Sequence, residues 1–350
     1  MDLRQVRDEA PAKTGTRVAA LQQALVPAFA WGIQRLWQLA PLETWPGWRY
    51  GQGRTRASSL ARRLLIRGYR AAGAHRLVGV RWHRGLTLNV DFATDVGETL
   101  FVGGTCEPNE MRFIATVLAP GMTAIDVGAN VGWITLLMAG CVGRTGRVVA
   151  FEPSSRERRV LAINQRCNGL TWLNIRGEAL FDECSTVALH VADTVHSGHN
   201  TLGGFIYEDV SEVQTVSVPA VPLDSLAGEL GLRRVDLIKI DVEGAECRVL
   251  RGAQETLGRY RPILLLEAQP ASLRVMGDDI DSLLMVLEDM HYAVCRFDEA
   301  TGMPSLDRSL PLSANVVAVP RESVEHLTEL GAIAPPHPSW ICASPSASLG

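Results

Sequence analysis

The sequence predicts an α/β fold in which helices cover both faces of a mostly parallel β-sheet. Two observations lead to this prediction. From about residue 105 onward, short apolar runs alternate with stretches of helical periodicity, an order typical of consecutive βαβ units. The runs are apolar at nearly every position, as expected for strands that are buried on both faces of a sheet.

The elements can be placed in chain order. After a short strand at 86–91, strands of the parallel sheet are predicted at residues 123–127, 148–151, 172–175, 235–240 and 263–266. Helices are predicted at residues 108–118, 131–140, 154–167, 244–258 and 278–290. Two later strands are predicted at 292–297 and 315–319, joined through a loop at 304–311.

The ends of the chain differ from this α/β region. We expect a basic helical N-terminal extension over residues 1–77, the α/β domain over 78–322 and a C-terminal tail over 323–350. Residues 44–90 hold ten arginines and no acidic residue, although the whole chain has a net charge of −4. A helix capped by Ser58 or Ser59 would place several of these arginines on one face. That face is either simply solvated or a surface for an acidic partner or phospholipid head groups.

Composition excludes several classes of protein. A hydrophobic content of 47% with 21% charged residues excludes a mainly disordered or collagen-like chain. The seven cysteines are scattered and form no CxxC pair, which favours reduced thiols over a zinc or disulfide framework. We find no apolar run long enough to span a membrane and no signal peptide. We therefore expect a cytoplasmic protein, with peripheral membrane contact left open.

A glycine-containing turn follows the first parallel strand, in the segment Ala124-Ile-Asp-Val-Gly-Ala-Asn-Val-Gly132. Glycine there allows a ligand to approach the backbone, and ligands of parallel sheets bind beyond the carboxyl ends of the strands. Glu152 ends the next strand, at the distance of the acidic residue that binds ribose hydroxyls in dinucleotide folds. A purely structural strand–helix turn is the alternative.

The identity of the ligand follows from charge. The G-x-G-x-x-G pattern of nicotinamide cofactors is absent, and Asp126 directly precedes the turn. A carboxylate there would repel a pyrophosphate but would suit a sulfonium or an amino group. The sequence therefore favours S-adenosylmethionine over NAD.

A second group of charged residues ends the strand predicted at 235–240. Lys239, Asp241 and Glu243 alternate along it, so their side chains share one face. The next strand also ends in an acid, Glu267. Charged groups at the end of buried strands suit a base acting on a hydroxyl or a site for Mg²⁺ held by Asp241 and Glu267. A structural salt bridge of Lys239 remains the alternative.

With these segments in place, the chain resembles the FkbM family of S-adenosylmethionine-dependent methyltransferases over roughly residues 85–320. The matching motifs are Gly104-Thr-Cys-Glu-Pro108, Ile125-Asp-Val-Gly-Ala-Asn-Val-Gly132, Ala150-Phe-Glu-Pro153, Leu223-Asp-Ser-Leu226, Lys239-Ile-Asp-Val-Glu-Gly-Ala-Glu246 with Val249-Leu-Arg-Gly-Ala253, and Arg261-Pro262 with Leu266-Glu267. Cys106 departs from the family, which often has an aromatic residue there.

The resemblance implies a class I methyltransferase sheet of seven strands, the last one antiparallel. It also implies a set of cofactor-binding residues. The residues around the methionine part of the cofactor would be Asp126, Gly128, Asn130 and Gly132. Glu152 would hold the ribose, Glu107 would close over the cofactor and Glu178 is a candidate for the adenine edge.

The resemblance further implies O-methylation of a sugar or natural-product hydroxyl, on a small-molecule, glycan, carrier-bound or phosphorylated acceptor. Asp241 is the expected catalytic residue, directly or through a cation shared with Glu267, with Lys239 and Glu243 beside it. His199 lies in a glycine-containing polar segment and is a candidate base on a mobile loop, or part of a plain surface loop. A nucleic-acid methyltransferase and a non-catalytic binding module, each using the basic 44–90 segment, are the alternatives.

Overall fold

A computed structural model of the chain describes residues 56–72, 77–103 and 106–335, together with scattered helical positions between 25 and 35. The strands are β1 (Leu77–Arg81), β2 (Thr87–Asp91), β3 (Thr123–Val127), β4 (Arg147–Phe151), β5 (Leu173–Arg176), β6 (Ala179–Leu180), β7 (Ser185–Ala192), β8 (Glu212–Val221), β9 (Leu237–Ile240), β10 (Ile263–Glu267), β11 (Tyr292–Phe297), β12 (Pro304–Ser305) and β13 (Asn315–Pro320). The helices are α1 (Arg56–Ala71), α2 (Asp95–Glu98), α3 (Pro108–Val117), α4 (Trp133–Val142), α5 (Ser155–Cys167), α6 (Leu223–Leu226), α7 (Glu246–Arg251), α8 (Gln254–Tyr260), α9 (Pro270–Val275), α10 (Ile280–Asp289) and α11 (Val324–Glu329).

The central sheet confirms the predicted α/β class. Its strand order is β12-β11-β13-β10-β9-β3-β4-β5, and β10, β9, β3, β4 and β5 are parallel. Strand β13 is antiparallel to both of its neighbours, as predicted for the last strand. The sheet has eight strands rather than seven, because two residues of the predicted 304–311 loop pair with β11 as the edge strand β12.

Both faces of the sheet are buried, which explains why its strands are apolar throughout. Successive residues of β3, such as Ala124 and Ile125, belong to two different hydrophobic clusters. The register places Asp126 of β3 opposite Lys239 of β9. The carboxyl ends of β3, β4 and β9 therefore bring their charged residues to one edge of the sheet.

One predicted helix was wrong in extent. The stretch 244–258 forms two helices, α7 and α8, separated at Gly252. A Cβ atom at Gly252 would lie 1.9 Å from the carbonyl oxygen of Phe181. The helix is thus interrupted where it passes the segment that follows β6, and only glycine fits at position 252.

A second, three-stranded sheet was not predicted. It has the order β6-β8-β7, and β7 and β8 form an antiparallel hairpin. Residues 193–211 connect the two strands and include His199. The polar loop predicted around His199 is therefore the connection at the tip of this hairpin.

The helix α1 packs on the α/β region through two of its arginines. Arg62 is 3% exposed and donates to the carbonyl oxygen of Phe101 at 3.2 Å. Arg70 donates to the carbonyl oxygen of Ala93 at 2.9 Å and forms an ion pair with Glu98 at 2.6 Å. These arginines stabilise the fold itself.

The predicted domain limits at 77 and 322 remain predictions, and the arginines at 49 and 54 and the tail from 336 onward lie outside the described residues. None of the described helices combines the length and apolar character needed to cross a membrane.

Candidate active site

A cavity of about 410 Å³ lies beyond the carboxyl ends of β3, β4 and β9. Its volume is in the range of small-molecule and cofactor pockets. It is lined by every residue that the sequence proposed for the site except Gly132, namely Glu107, Asp126, Gly128, Asn130, Glu152, Glu178, His199, Lys239, Asp241, Glu243 and Glu267. The sheet topology thus assembles residues that are far apart in the sequence.

The turn after β3 owes its shape to glycine. Gly128 has φ +81°, and a Cβ there would lie 1.8 Å from the carbonyl oxygen of Asp241. The two segments that carry the charged residues therefore approach each other at backbone distance. Gly132 does not line the cavity; it starts α4 with φ +91°, and a Cβ there would lie 2.3 Å from Leu161. The positive φ and the nearby Leu161 side chain of α5 both favour glycine at this position.

Glu152 is held by backbone donors. Its Oε2 accepts from the amide of Asn130 at 2.7 Å and its Oε1 accepts from the amide of Ser154 at 2.8 Å. The side chain is 5% exposed. Burial raises the pKa of Glu152 to about 8, and nearby Glu157 adds to the rise. Each carboxylate oxygen keeps a lone pair, so the cavity side of Glu152 can still accept from ligand hydroxyls.

A buried cation joins the two charged segments. Lys239 is 4% exposed, and its Nζ donates to Asp241 Oδ2 at 2.7 Å. Burial lowers the pKa of Lys239, but Asp241, Glu107 and Asp126 outweigh it and leave that pKa well above the usual value. Lys239 is therefore fixed as an ammonium group among three carboxylates.

Asp126 shares this environment. It is 1% exposed, and its Oδ2 accepts from Thr135 Oγ1 at 2.5 Å, whereas Oδ1 is buried without a hydrogen-bond partner. Burial raises the pKa of Asp126, against the opposing effects of Lys239 and Thr135. Asp126 thus lines the cavity with one of its oxygens left without a donor.

A similar unpartnered oxygen comes from the segment before β3. Glu107 has φ +46° at the start of α3, and its Oε2 is buried without a partner. Its Oε1 accepts from Asn315 Nδ2 at 3.2 Å, and the same amide donates to Glu110 at 3.0 Å. Burial raises the pKa of Glu107, although Lys239 acts to lower it. Asn315 of β13 therefore ties α3 to the sheet edge.

His199 lies between two carboxylates. Its Nδ1 is 3.0 Å from Glu243 Oε1, and its Nε2 is 3.6 Å from Asp95 Oδ2. The hydrogen bond to Glu243 is the main cause that raises the pKa of His199, opposed by burial. The ring of Tyr207 lies against the imidazole, with centroids 4.7 Å apart. The hairpin tip is thereby fastened to the segments that carry Glu243 and Asp95.

The remaining acids differ in their partners. Glu267 Oε2 is buried and unpartnered, and burial, with Asp241, Glu243 and Glu246 nearby, raises its pKa. Glu178 lines the cavity but is paired with Arg176 at 2.6 Å, and that bond lowers its pKa despite the opposing effect of burial. Glu178 is thus less free to bind a ligand than Glu152.

The structure does not support the predicted magnesium site. Within the part of the chain that the structure describes, no group of three or more His, Cys, Asp or Glu residues is arranged to hold a metal ion. Asp241, one of the two proposed ligands, is already bonded to the Lys239 ammonium. The charge that a metal would neutralise is balanced there by the lysine.

Sequence reasoning missed several residues of the site. Asp95 lies in α2, which precedes the central sheet in the chain, and Asn315 lies in β13, the last strand of that sheet in chain order. Asp95 follows Thr94, which caps α2, so its local pattern is that of an ordinary helix start. The apolar part of the wall was also missed; it is formed by Val96, Trp133, Ile134, Phe151, Leu180, Leu189 and Leu202.

Part of the chain is similar to known methyltransferases. Residues 126–294 match the family model of the methyltransferase FkbM domain, which confirms the resemblance over that range. AMB antimetabolite synthetase AmbE of Pseudomonas aeruginosa is 28% identical over 219 residues, covering 52% of this chain and 10% of that protein. Methyltransferase 1 of Beauveria bassiana is 28% identical over 146 residues, covering 37% of this chain and 58% of that protein.

The crystal structure of methyltransferase FkbM from Methylobacillus flagellatus aligns with a TM-score of 0.38 and 16% identity, covering 64% of this chain and 52% of that chain. The chain therefore spans less than two thirds of each of these three proteins.

Proposed function

We propose that the chain, whose residues 126–294 match the methyltransferase FkbM domain model, transfers a methyl group from S-adenosylmethionine to a hydroxyl of a small sugar-like or natural-product acceptor. The observation that carries the proposal is the pair of buried Lys239 and half-buried Asp241, 2.7 Å apart, which lines the same cavity as the glycine turn and Glu152. A carboxylate for the acceptor and a polar cradle for a nucleoside thus share one enclosure.

The charge of the cavity suits S-adenosylmethionine. Unpartnered buried oxygens of Asp126 and Glu107 would face the cationic methionine end, because a buried acceptor is costly until a donor or cation reaches it. Glu152 would accept from the ribose hydroxyls, as the acidic residue does in dinucleotide folds. When bound, the cofactor supplies a methyl group already activated on a sulfonium. Glu178, already paired with Arg176, is the weaker candidate for contact with the adenine.

The same charges restrict the acceptor. Although the chain is rich in arginine, the described cavity wall contains none, and its two cations, Lys239 and His199, are each next to a carboxylate. A phosphate would meet Asp95, Glu243 and Glu267 without an uncommitted cation. We therefore favour a neutral hydroxylic acceptor over a phosphorylated one.

Asp241 is the residue proposed to act on the acceptor. Methyl transfer is an in-line displacement, so alignment of the acceptor oxygen with the methyl group is the main requirement. Asp241 Oδ1 can accept a hydrogen bond from the acceptor hydroxyl and take up its proton as the oxygen receives the methyl group. Its Oδ2 stays bonded to Lys239, which fixes the direction of the carboxylate. Lys239 is thus a positioning residue. His199, next to two carboxylates, is better suited to fastening the hairpin tip than to taking up the proton.

The nucleic-acid alternative has less support. Arg62 and Arg70 are committed to carbonyl oxygens and to Glu98 within the fold, and the acidic cavity would repel a phosphate backbone. A salt-dependent gel shift with RNA would revive this alternative.

The test uses Asp241→Ala with Asp289→Ala as a matched control, since Asp289 is exposed at the end of α10. Labelled S-adenosylmethionine would be offered with a panel of neutral polyols and glycosides, and binding of S-adenosylhomocysteine measured by calorimetry. We expect Asp241→Ala to lose roughly a hundredfold or more in turnover while keeping its affinity for S-adenosylhomocysteine. Turnover equal to that of the control would refute the role of Asp241, and absence of S-adenosylhomocysteine binding to the wild type would refute the cofactor.

A further inference from the structure

One face of α1 combines exposed leucines with arginines. Leu60 and Leu64 are 59% and 56% exposed, and Arg63 and Arg67 are exposed as well. The spacing i, i+3, i+4 and i+7 places all four on the same side of a helix. We call this set, Leu60, Arg63, Leu64 and Arg67, the Leu–Arg face.

The opposite side of α1 explains why these leucines stay outside. Arg62, Ile66 and Tyr69 are each at most 3% exposed and anchor the helix on the α/β region. Leaving two leucines of one helix in water forgoes the stabilisation that burial of apolar area provides. Helix α1 therefore carries apolar residues on both its packed side and its outer side.

Neighbouring residues extend the surface. A Cβ at Gly68 would lie 2.7 Å from the ring of Phe29, and one at Gly32 would lie 3.5 Å from Leu65, so the helical positions between 25 and 35 pack beside α1. There Trp31 is 61% exposed, with the guanidinium of Arg35 over its ring at 5.4 Å. Exposed tryptophan next to arginine is typical of the interface between lipid and water.

The charged residues of α1 are all arginines. Helix α1 contains no acidic residue, and none occurs anywhere in residues 44–90. Four of the nine large hydrophobic side chains that are exposed in the described part of the chain fall between residues 25 and 64. Exposed apolar side chains and arginines are thus concentrated on this helix and the segment beside it.

We propose that the Leu–Arg face docks on an anionic phospholipid bilayer, with Leu60 and Leu64 entering the head-group region and Arg63 and Arg67 binding lipid phosphates. An interfacial helix has this composition, with leucine and tryptophan beside arginine. An acidic surface alone would satisfy the arginines but leave the leucines in water, whereas a bilayer offers an apolar interior directly beneath its phosphates. The bilayer accounts for both kinds of side chain.

The position of α1 relates this surface to the cavity. Arg70 binds the carbonyl oxygens of Ala93 and Thr94, directly before Asp95, Val96 and Thr99 of the cavity wall. The docked helix would thus hold the cavity wall near the bilayer. This consequence rests on the proposed function, whereas the docking itself does not.

The experiment is co-sedimentation of the full chain with vesicles of phosphatidylcholine alone or mixed with phosphatidylglycerol. We expect binding to the mixed vesicles only, weakening as salt is raised. Leu60→Gln with Leu64→Gln should lower the partition coefficient roughly tenfold or more. Arg63→Gln with Arg67→Gln should lower it by about fivefold for each arginine and reduce the salt dependence.

Met285→Gln with Leu330→Gln is the matched control, because these residues are 60% and 48% exposed outside the Leu–Arg face. The control should bind like the wild type, and unchanged thermal melting would show that each variant is folded. No sedimentation with mixed vesicles at low salt would overturn the proposal. Loss of binding in the arginine variant but not in the leucine variant would also overturn it, and would indicate a surface for an acidic macromolecule.

Discussion

Replacement of Lys239 by Met tests whether the buried cation holds the site together. Met keeps an unbranched chain but removes the ammonium group, which lies 2.7 Å from Asp241 Oδ2 in a side chain that is 4% exposed. Three carboxylates, those of Asp241, Glu107 and Asp126, raise the pKa of this lysine against the effect of burial. Without it they are left near one another with no cation among them.

The expected loss follows from the cost of breaking a buried ion pair, about 3–5 kcal/mol. An unfolding entropy of about 2.1 cal/mol/K per residue over 350 residues corresponds to about 1.4 °C for each kcal/mol, so the melting temperature should fall by roughly 4–7 °C at neutral pH. The difference in melting temperature between Lys239→Met and the wild type should shrink in acid, because protonation of the carboxylates removes the uncompensated charge. Differential scanning calorimetry at neutral and at acidic pH measures both the fall in melting temperature and its dependence on pH.

A surface pair with the same spacing provides the control. Arg234 and Asp236 are also two residues apart and form an ion pair at 2.5 Å, but the arginine side chain is 54% exposed. Arg234→Met should therefore cost at most about 1 kcal/mol. A melting temperature for Lys239→Met as close to the wild type as that of Arg234→Met would refute the reasoning. Lys239→Arg keeps the charge but adds a larger, planar group, and we expect it to lose methyl-transfer activity as well.

Three further predictions concern the remaining parts of the site. Gly128→Ala should abolish S-adenosylhomocysteine binding, because its Cβ would lie 1.8 Å from the Asp241 carbonyl oxygen; Gly169→Ala, also at positive φ but with open space around it, should cost only about 1–2 kcal/mol and keep binding. Because burial raises the pKa of Glu152 from 4.5 to about 8, the folded state binds more protons than the unfolded state between those values. The free energy of unfolding measured in urea should therefore fall as pH rises from about 4.5 to about 8, and Glu152→Gln should flatten this slope; an equal slope would contradict it. Glu243→Gln should lower the pKa of His199, measured by NMR titration, because the hydrogen bond to Glu243 is the first cause of its rise; an unchanged pKa would show that Asp95 alone holds the proton.

The sheet could be predicted closely because buried parallel strands are marked by composition alone. Strand β3 was placed at the residues where it occurs, and β5 was displaced by a single residue. The hairpin β7–β8 has no such mark, since more than half of the residues in its strands are exposed or half-buried. Strand β12, with two residues, is too short to produce any periodicity.

The residues of the site likewise include some that could be predicted from the sequence and some that could not. Residues at the ends of parallel strands, such as Asp126, Glu152 and Lys239, could be brought together from the sequence because those ends meet at one edge. Asp95 and Asn315 lie on either side of that region in the chain, and their positions depend on tertiary packing. Nothing in the residues around them indicates that Asp95 lines the cavity or that Asn315 holds Glu107, which also lines it.

The cavity draws on more of the chain than the recognisable domain. Glu107 and Asp95 precede residue 126, and Asn315, which binds Glu107, follows residue 294. A chimera cut at residues 126 and 294 would carry the glycine turn and the Lys239–Asp241 pair into a new host but leave behind the groups that enclose them. Exchange of acceptor preference between relatives by domain grafting will therefore require junctions before Asp95 and after Asn315.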